Sequence, residues 1–166
     1  MAQKQPRPTS LDPVWDRIQD DARAAIAAEP LIGGMAHASV LHHKSLESAL
    51  SYRVASKLSS TEMSGQLLRE LCEEAYAADR SLAEAARADI VAVYERDPAC
   101  HSLLQPLLYS KGYQAVQAYR VGHWLGREGR KDLAYFIQAR ATEVFGIVTH
   151  PNARIGQGFW IDQAHS

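Results

Sequence analysis

Residues 145–166 read FGIVTHPNARIGQGFWIDQAHS, and they decide the fold because the pattern of the chain changes there. Upstream, apolar residues recur at helical spacing; within this stretch that periodicity stops. Ile155-Gly156 and Ile161-Asp162 repeat an apolar residue followed by a small or polar one, six residues apart. A six-residue period marks a parallel β-helix, in which each hexapeptide lays down one short strand and turns a corner. Gly156 and Gly158 then read as corner residues that need positive φ. The coils of a β-helix bury their apolar faces on one another, so several are required for stability. The quoted stretch supplies only the first, which predicts a helical domain leading into the beginning of a larger, here truncated, β-structure. A lone coil would expose Ile155, Phe159, Trp160 and Ile161 beside unpaired strand edges. Residues beyond about Thr149 are therefore expected to be poorly ordered or packed on a partner subunit.

Working back from this stretch, every segment carries helical signals. Lys131 to Phe145 turns Leu133, Phe136, Ile137 and Val144 inward, and Gly129 stops the helix before it, Gly112 to Arg127. That longer helix is expected to bury Val116, Tyr119, Val121 and Trp124. Pro106 reads as an interruption, and Arg96-Asp97-Pro98-Ala99 as a break whose Asp97 is placed to cap the short helix that follows. Asp79 or Ser81 opens a helix to about Glu95, with Leu82, Ala86, Ile90 and Val93 inward. Ser64 caps a helix carrying Leu67, Leu68, Leu71, Ala75 and Tyr76, and Ser45 begins another. The run LIGGMAHASVLHHK is helical in spite of Gly33-Gly34, and Asp12-Pro13 is a helix start. The expected fold is mainly α: a bundle of about eight helices over residues 12–146, a disordered lead over 1–11 and the start of the β-helix over 147–166. Short connections make neighbouring helices antiparallel.

The 166 residues are 22% charged and 46% hydrophobic, the balance of a single globular domain. A formal net charge of -1 predicts no nucleic-acid partner and no attraction to a membrane surface. No apolar run approaches the ~18–20 residues of a membrane span. The opening MAQKQPRPTS lacks the apolar core of a signal peptide. Cys72 and Cys100 show neither metal-ligand spacing nor a disulfide framework, so a reducing cytoplasm is the expected location.

Candidate chemistry is sparse by pattern alone. Among the seven histidines, His42 and His43 are adjacent and point about 100° apart on an α-helix. His37 and His42, five apart, would not share a face. No Cys, Asp or Glu completes a ligand set, and no metal is expected. There is no GxSxG elbow, P-loop or GxGxxG, and Gly156-Gln157-Gly158 is too short to cradle phosphate. Asp97 and Asp162 sit at element ends, where side chains face outward from rigid scaffolding; their bland readings are a helix cap and a solvated corner. Pattern leaves the function open.

The wording of the sequence goes further. HASVLHHKSLESALSYRVASKLSS (37–60), LLRELCEEAYAAD (67–79), DIVAVYERDPAC (89–100), PLLYSKGYQAVQAYRVGHWL (106–125) and HPNARIGQGFWID (150–162) together closely resemble serine O-acetyltransferase. The resemblance runs in order from about Val14 to Asp162. It implies a helical N-terminal domain followed by a left-handed parallel β-helix, assembled as a trimer or a dimer of trimers. It also implies transfer of an acetyl group from acetyl-CoA to the hydroxyl of L-serine, the first step of cysteine biosynthesis, with acetyl-CoA as co-substrate and no tightly bound cofactor.

By the same resemblance Asp97 and Asp162 are the serine-binding aspartates. Two positions depart from the family. Gln163 stands where the base histidine is expected, and Val148 where the aspartate that orients it is expected. An amide cannot act as a base near neutral pH, and valine offers no hydrogen bond. His165 lies two residues past the base position, and His150 matches a family histidine that is not the base. The coenzyme groove and the tail that docks into O-acetylserine sulfhydrylase belong to later coils in the family and have no counterpart in the 166 residues. A chain inactive by itself is therefore expected, the alternative being a non-catalytic oligomerisation or interaction module of the same descent.

Overall fold

Side-chain caps fix where most helices begin. Asp12 Oδ1 accepts from the Trp15 N–H at 3.2 Å with Pro13 at the first helical position, and α1 runs Pro13–Ala28. The computed structural model describes residues 11–146 and Gly156. The lead over 1–10 and, apart from Gly156, the predicted β-helix start lie outside the described residues. A 3₁₀ turn at Pro30–Ile32, a single α-turn α2 at Gly33–Ala36 and a π turn at His37–Leu41 follow one another. Ser45 caps α3, Leu46–Leu58, and Ser64 caps α4, Gly65–Ala78, each hydroxyl accepting from the N–H three residues on. Of the two candidates at the next start, Asp79 is the cap: its Oδ1 accepts from Ser81 N–H at 2.9 Å at the head of α5, Arg80–Arg96.

Pro106 does not interrupt a helix. It lies in the first turn of α6, Leu104–Tyr109, where backbone N–H groups have no intrahelical acceptor to lose. Ser110 caps α7, Lys111–Arg127, and α8 spans Lys131–Phe145. Gly129 and Gly146 have φ of 79° and 70°, the left-handed conformation that ends α7 and α8 with no side-chain penalty. Among the described residues the chain is thus all helical, with eight α-helices and no strand. None of these helices is long and apolar enough to cross a membrane.

The most extensive packing is α3 against α4 and α7 against α8. Leu46, Leu50, Leu58, Leu68, Ile90, Leu107, Leu125 and Ile137 are fully buried in one continuous core. α7 lies in the middle and touches α3, α4, α5, α6 and α8. That position buries far more of it than its apolar stripe: Gln114, Gln117 and Arg120 go inside with the four residues the sequence picks out. Each buried polar group must find a partner. Gln114 Nε2 donates to the Leu107 carbonyl at 2.8 Å, and Gln117 and Arg120 both reach Asp89 of α5.

Candidate functional site

Asp97 ends α5. Its backbone is extended (φ −93°, ψ 110°), as a residue before proline prefers, and Pro98 turns the chain away. Oδ1 accepts from the Ala99 N–H at 2.9 Å, while the Asp97 carbonyl accepts from the Cys100 N–H at 3.0 Å. The carboxylate is half-buried and held in a tight turn. It does not cap the following helix, contrary to the sequence reading. α6 starts only at Leu104, where Ser102 Oγ accepts from Gln105 N–H and Asp21 Oδ2 from Leu103 N–H. Six residues, 98–103, separate the two, too far for one side chain to span.

Cys100 lies in the same turn, its thiol donating to the Ser102 carbonyl, and burial pushes its pKa up. Cys72, inside α4, is pushed up to about 12 by burial. Neither is poised as a thiolate nucleophile. Val148, Asp162 and Gln163, with His150 and His165, lie outside the described residues.

A polar assembly that the sequence reading did not single out lies further back on α5. Asp89, two turns earlier on α5, is completely buried. Arg120 of α7 meets it with two nitrogens, Nε to Oδ2 and Nη2 to Oδ1, both at 3.0 Å, and Gln117 Nε2 donates to Oδ2 at 2.7 Å. Arg120 Nη2 also donates to the carbonyl of Gly156 at 2.8 Å. Tyr76 and Tyr113 stand around the pair, both phenols pushed up by burial, and the Tyr113 hydroxyl donates to the Ala86 carbonyl. The signal was present in the sequence. Asp89 falls on the inward stripe of Leu82, Ala86 and Val93, and Arg120 four residues from both Val116 and Trp124. A charge on an apolar stripe announces a buried partner.

The three histidines of residues 37–43 have distinct surroundings. His43 is buried, with Nε2 2.8 Å from the Ala38 carbonyl and Nδ1 2.8 Å from Ser48 Oγ. A carbonyl only accepts, so Nε2 carries the proton and Nδ1 of the neutral ring accepts from Ser48. Burial holds the pKa of this ring below the usual histidine value. His37 and His42 do share a face, with ring centroids 5.3 Å apart, against expectation. The cause is the π turn between them, whose His42 N–H donates to the His37 carbonyl and stacks residues five apart. Among the described residues no three His, Cys, Asp or Glu side chains are grouped to hold a metal ion.

Comparison with known proteins adds to this geometry. Residues 14–118 match the family described as serine acetyltransferase, N-terminal. The chain is 47% identical over 154 residues to the serine acetyltransferase of Escherichia coli strain K12, covering 93% of this chain and 56% of that protein. Its fold is similar to that of Neisseria gonorrhoeae serine acetyltransferase in complex with serine, with a TM-score of 0.85 and 44% identity over 92% of this chain and 62% of that one. It is also similar to serine acetyltransferase from Brucella abortus strain S19 in complex with coenzyme A, with a TM-score of 0.86 and 38% identity over 89% of this chain and 59% of that one. The chain spans a little over half the length of the curated relative it matches.

Proposed function

The chain belongs to the serine acetyltransferase family, and from that premise we propose that it serves acetyl transfer from acetyl-CoA to the hydroxyl of L-serine, the entry to cysteine biosynthesis. The observation that carries the reading is the family match over residues 14–118, which takes in the whole of α5 and its terminal Asp97. Asp97 and Asp162 supply carboxylates to the bound serine, whose ammonium group is a donor for a charge-assisted hydrogen bond. The half-buried, turn-held Asp97 suits that role, since its side chain is oriented before substrate arrives. Relatives solved in complex with serine and with coenzyme A support L-serine and acetyl-CoA as the ligands. Residues 147–166 begin the hexapeptide-repeat β-helix, and the chain assembles with copies of itself as a trimer or a dimer of trimers. Two free thiols and the absence, among the described residues, of a membrane-crossing helix suit a cytoplasmic setting.

Serine oxygen must lose its proton as it attacks the thioester carbonyl, and a positioned base contributes roughly 10²–10⁴-fold to such a step. Gln163 and Val148 occupy the base and orienting positions and can supply neither function. This polypeptide therefore retains serine recognition while turning over slowly or not at all. A non-catalytic oligomerisation module of the family is the second reading, favoured by the same two residues. Release of CoA thiol from acetyl-CoA with and without L-serine, together with serine binding by calorimetry, separates them. The unchanged chain is expected to match its serine-free control while binding L-serine. Serine-dependent release by the unchanged chain would overturn the missing-base reading. A chain that neither releases thiol nor binds L-serine favours the module.

A further inference from the structure

A buried ion pair is poor evidence for stability by itself, because desolvating both charges offsets most of their attraction and an apolar pair of equal volume would hold two helices as well. The Asp89–Arg120 pair differs in being tied to a third element. Asp89 accepts from Nε and Nη2 of one planar guanidinium, which leaves the fork no freedom to rotate. The other hydrogen on Nη2 is then aimed at a fixed point, and the Gly156 carbonyl sits there at 2.8 Å. Gln117 takes up further acceptor capacity of Asp89 Oδ2, so the carboxylate is held from α7 at two positions. Along the chain, α5 continues from Asp89 to its C-cap Asp97, and Gly156 precedes Asp162 by one hexapeptide.

We propose that Arg120 is a positioning residue: clamped by Asp89, it anchors the Gly156 peptide to the helical body and so sets the separation of Asp97 and Asp162. The inference rests on the reading of those two aspartates as the serine site. Lysine could keep the charge beside Asp89, but a single ammonium cannot present the fork that fixes both the carboxylate and a peptide carbonyl.

The anchor is tested on the full chain by trypsin, which can cut after Arg154, two residues before the anchored peptide. Arg120→Met and Arg120→Lys are each expected to speed cleavage after Arg154 at least tenfold, with cleavage within α3 and α4 changed less than twofold. Arg120→Lys guards against the case in which the methionine variant fails to fold. Cleavage after Arg154 unchanged in the lysine variant, or faster only in step with the helices, overturns the anchor. Serine affinity, measured by calorimetry on the same proteins, is expected to fall at least tenfold in both variants. A loosened segment with unchanged serine affinity overturns the spacing role. If the unchanged chain binds no serine, the reading of the aspartates fails, and the spacing role with it, while the proteolysis still decides the anchor.

Discussion

His43 shows how a single side chain makes this fold sensitive to pH. The Ala38 carbonyl fixes a proton on Nε2 and the Ser48 hydroxyl lies against Nδ1, while burial disfavours the charged ring and, outweighing the Ala38 hydrogen bond, lowers its pKa in the folded protein. The unfolded chain therefore takes up this proton first. The stabilising contribution is fully present above the unfolded histidine value of about 6.5 and is lost as pH falls through the depressed folded value. Urea midpoints should drop between pH 7 and pH 5, and the drop should be smaller in His43→Gln, which at pH 7 is itself less stable by ~1–3 kcal/mol for the broken buried network. An equal pH slope in the variant would show that other groups carry the effect. At this scale the sequence was legible where a side chain acts on its own neighbours, as at Asp12, Ser45 and Ser64. It misled at Asp97, because Asp before Pro fits a C-terminal turn as well as an N-terminal cap, and only the length of the loop that follows tells them apart.

Helices pose a different question, since their existence was readable and their surroundings were not. The periodicity of α7 marks one apolar face, yet neighbours on every side bury Gln114, Gln117 and Arg120 as well. Burial of that kind is set by which helices surround α7, information that no local window holds. The π turn at His37–Leu41 is a second case, where reading α-helical spacing put His37 and His42 on different faces. Between α7 and α8, Gly122 permits a close approach: a Cβ there would meet Ile137 Cγ2 at 3.6 Å and the Ala134 carbonyl at 3.9 Å. Those are ordinary contacts, so one methyl group fits. Gly122→Ala should raise stability by up to ~1 kcal/mol through helix propensity. Gly122→Val, which pushes further methyls against Ile137, should cost ~1–3 kcal/mol by overpacking. Thermal unfolding of the pair reads both signs, and an alanine variant less stable than the parent would mean that the α7–α8 contact has no slack.

For the whole molecule, the family resemblance carried the candidate site further than any pattern, because the two aspartates proposed to bind serine look like a cap and a corner until the surrounding wording is read. What the resemblance could not supply is how the helical body and the following segment depend on each other. The buried core runs from Trp15 in α1 to Phe145 at the end of α8, and Gly146 closes that helix in the left-handed conformation. From this arrangement we propose a domain boundary at residue 146. A chain ending at Gly146 should keep its helical circular dichroism and unfold in one cooperative step, because Asp89 still neutralises Arg120 and, among the described residues, it is the charged hydrogen bond to Gly156 that is given up. Such a bond contributes ~1.5–3 kcal/mol at most, and water entering at the vacated carbonyl position recovers part of it. The midpoint should therefore fall by a few degrees for a domain of this size. Loss of the cooperative transition would mean instead that residues 147–166 complete the core, and that the helices and the segment after them fold as one unit.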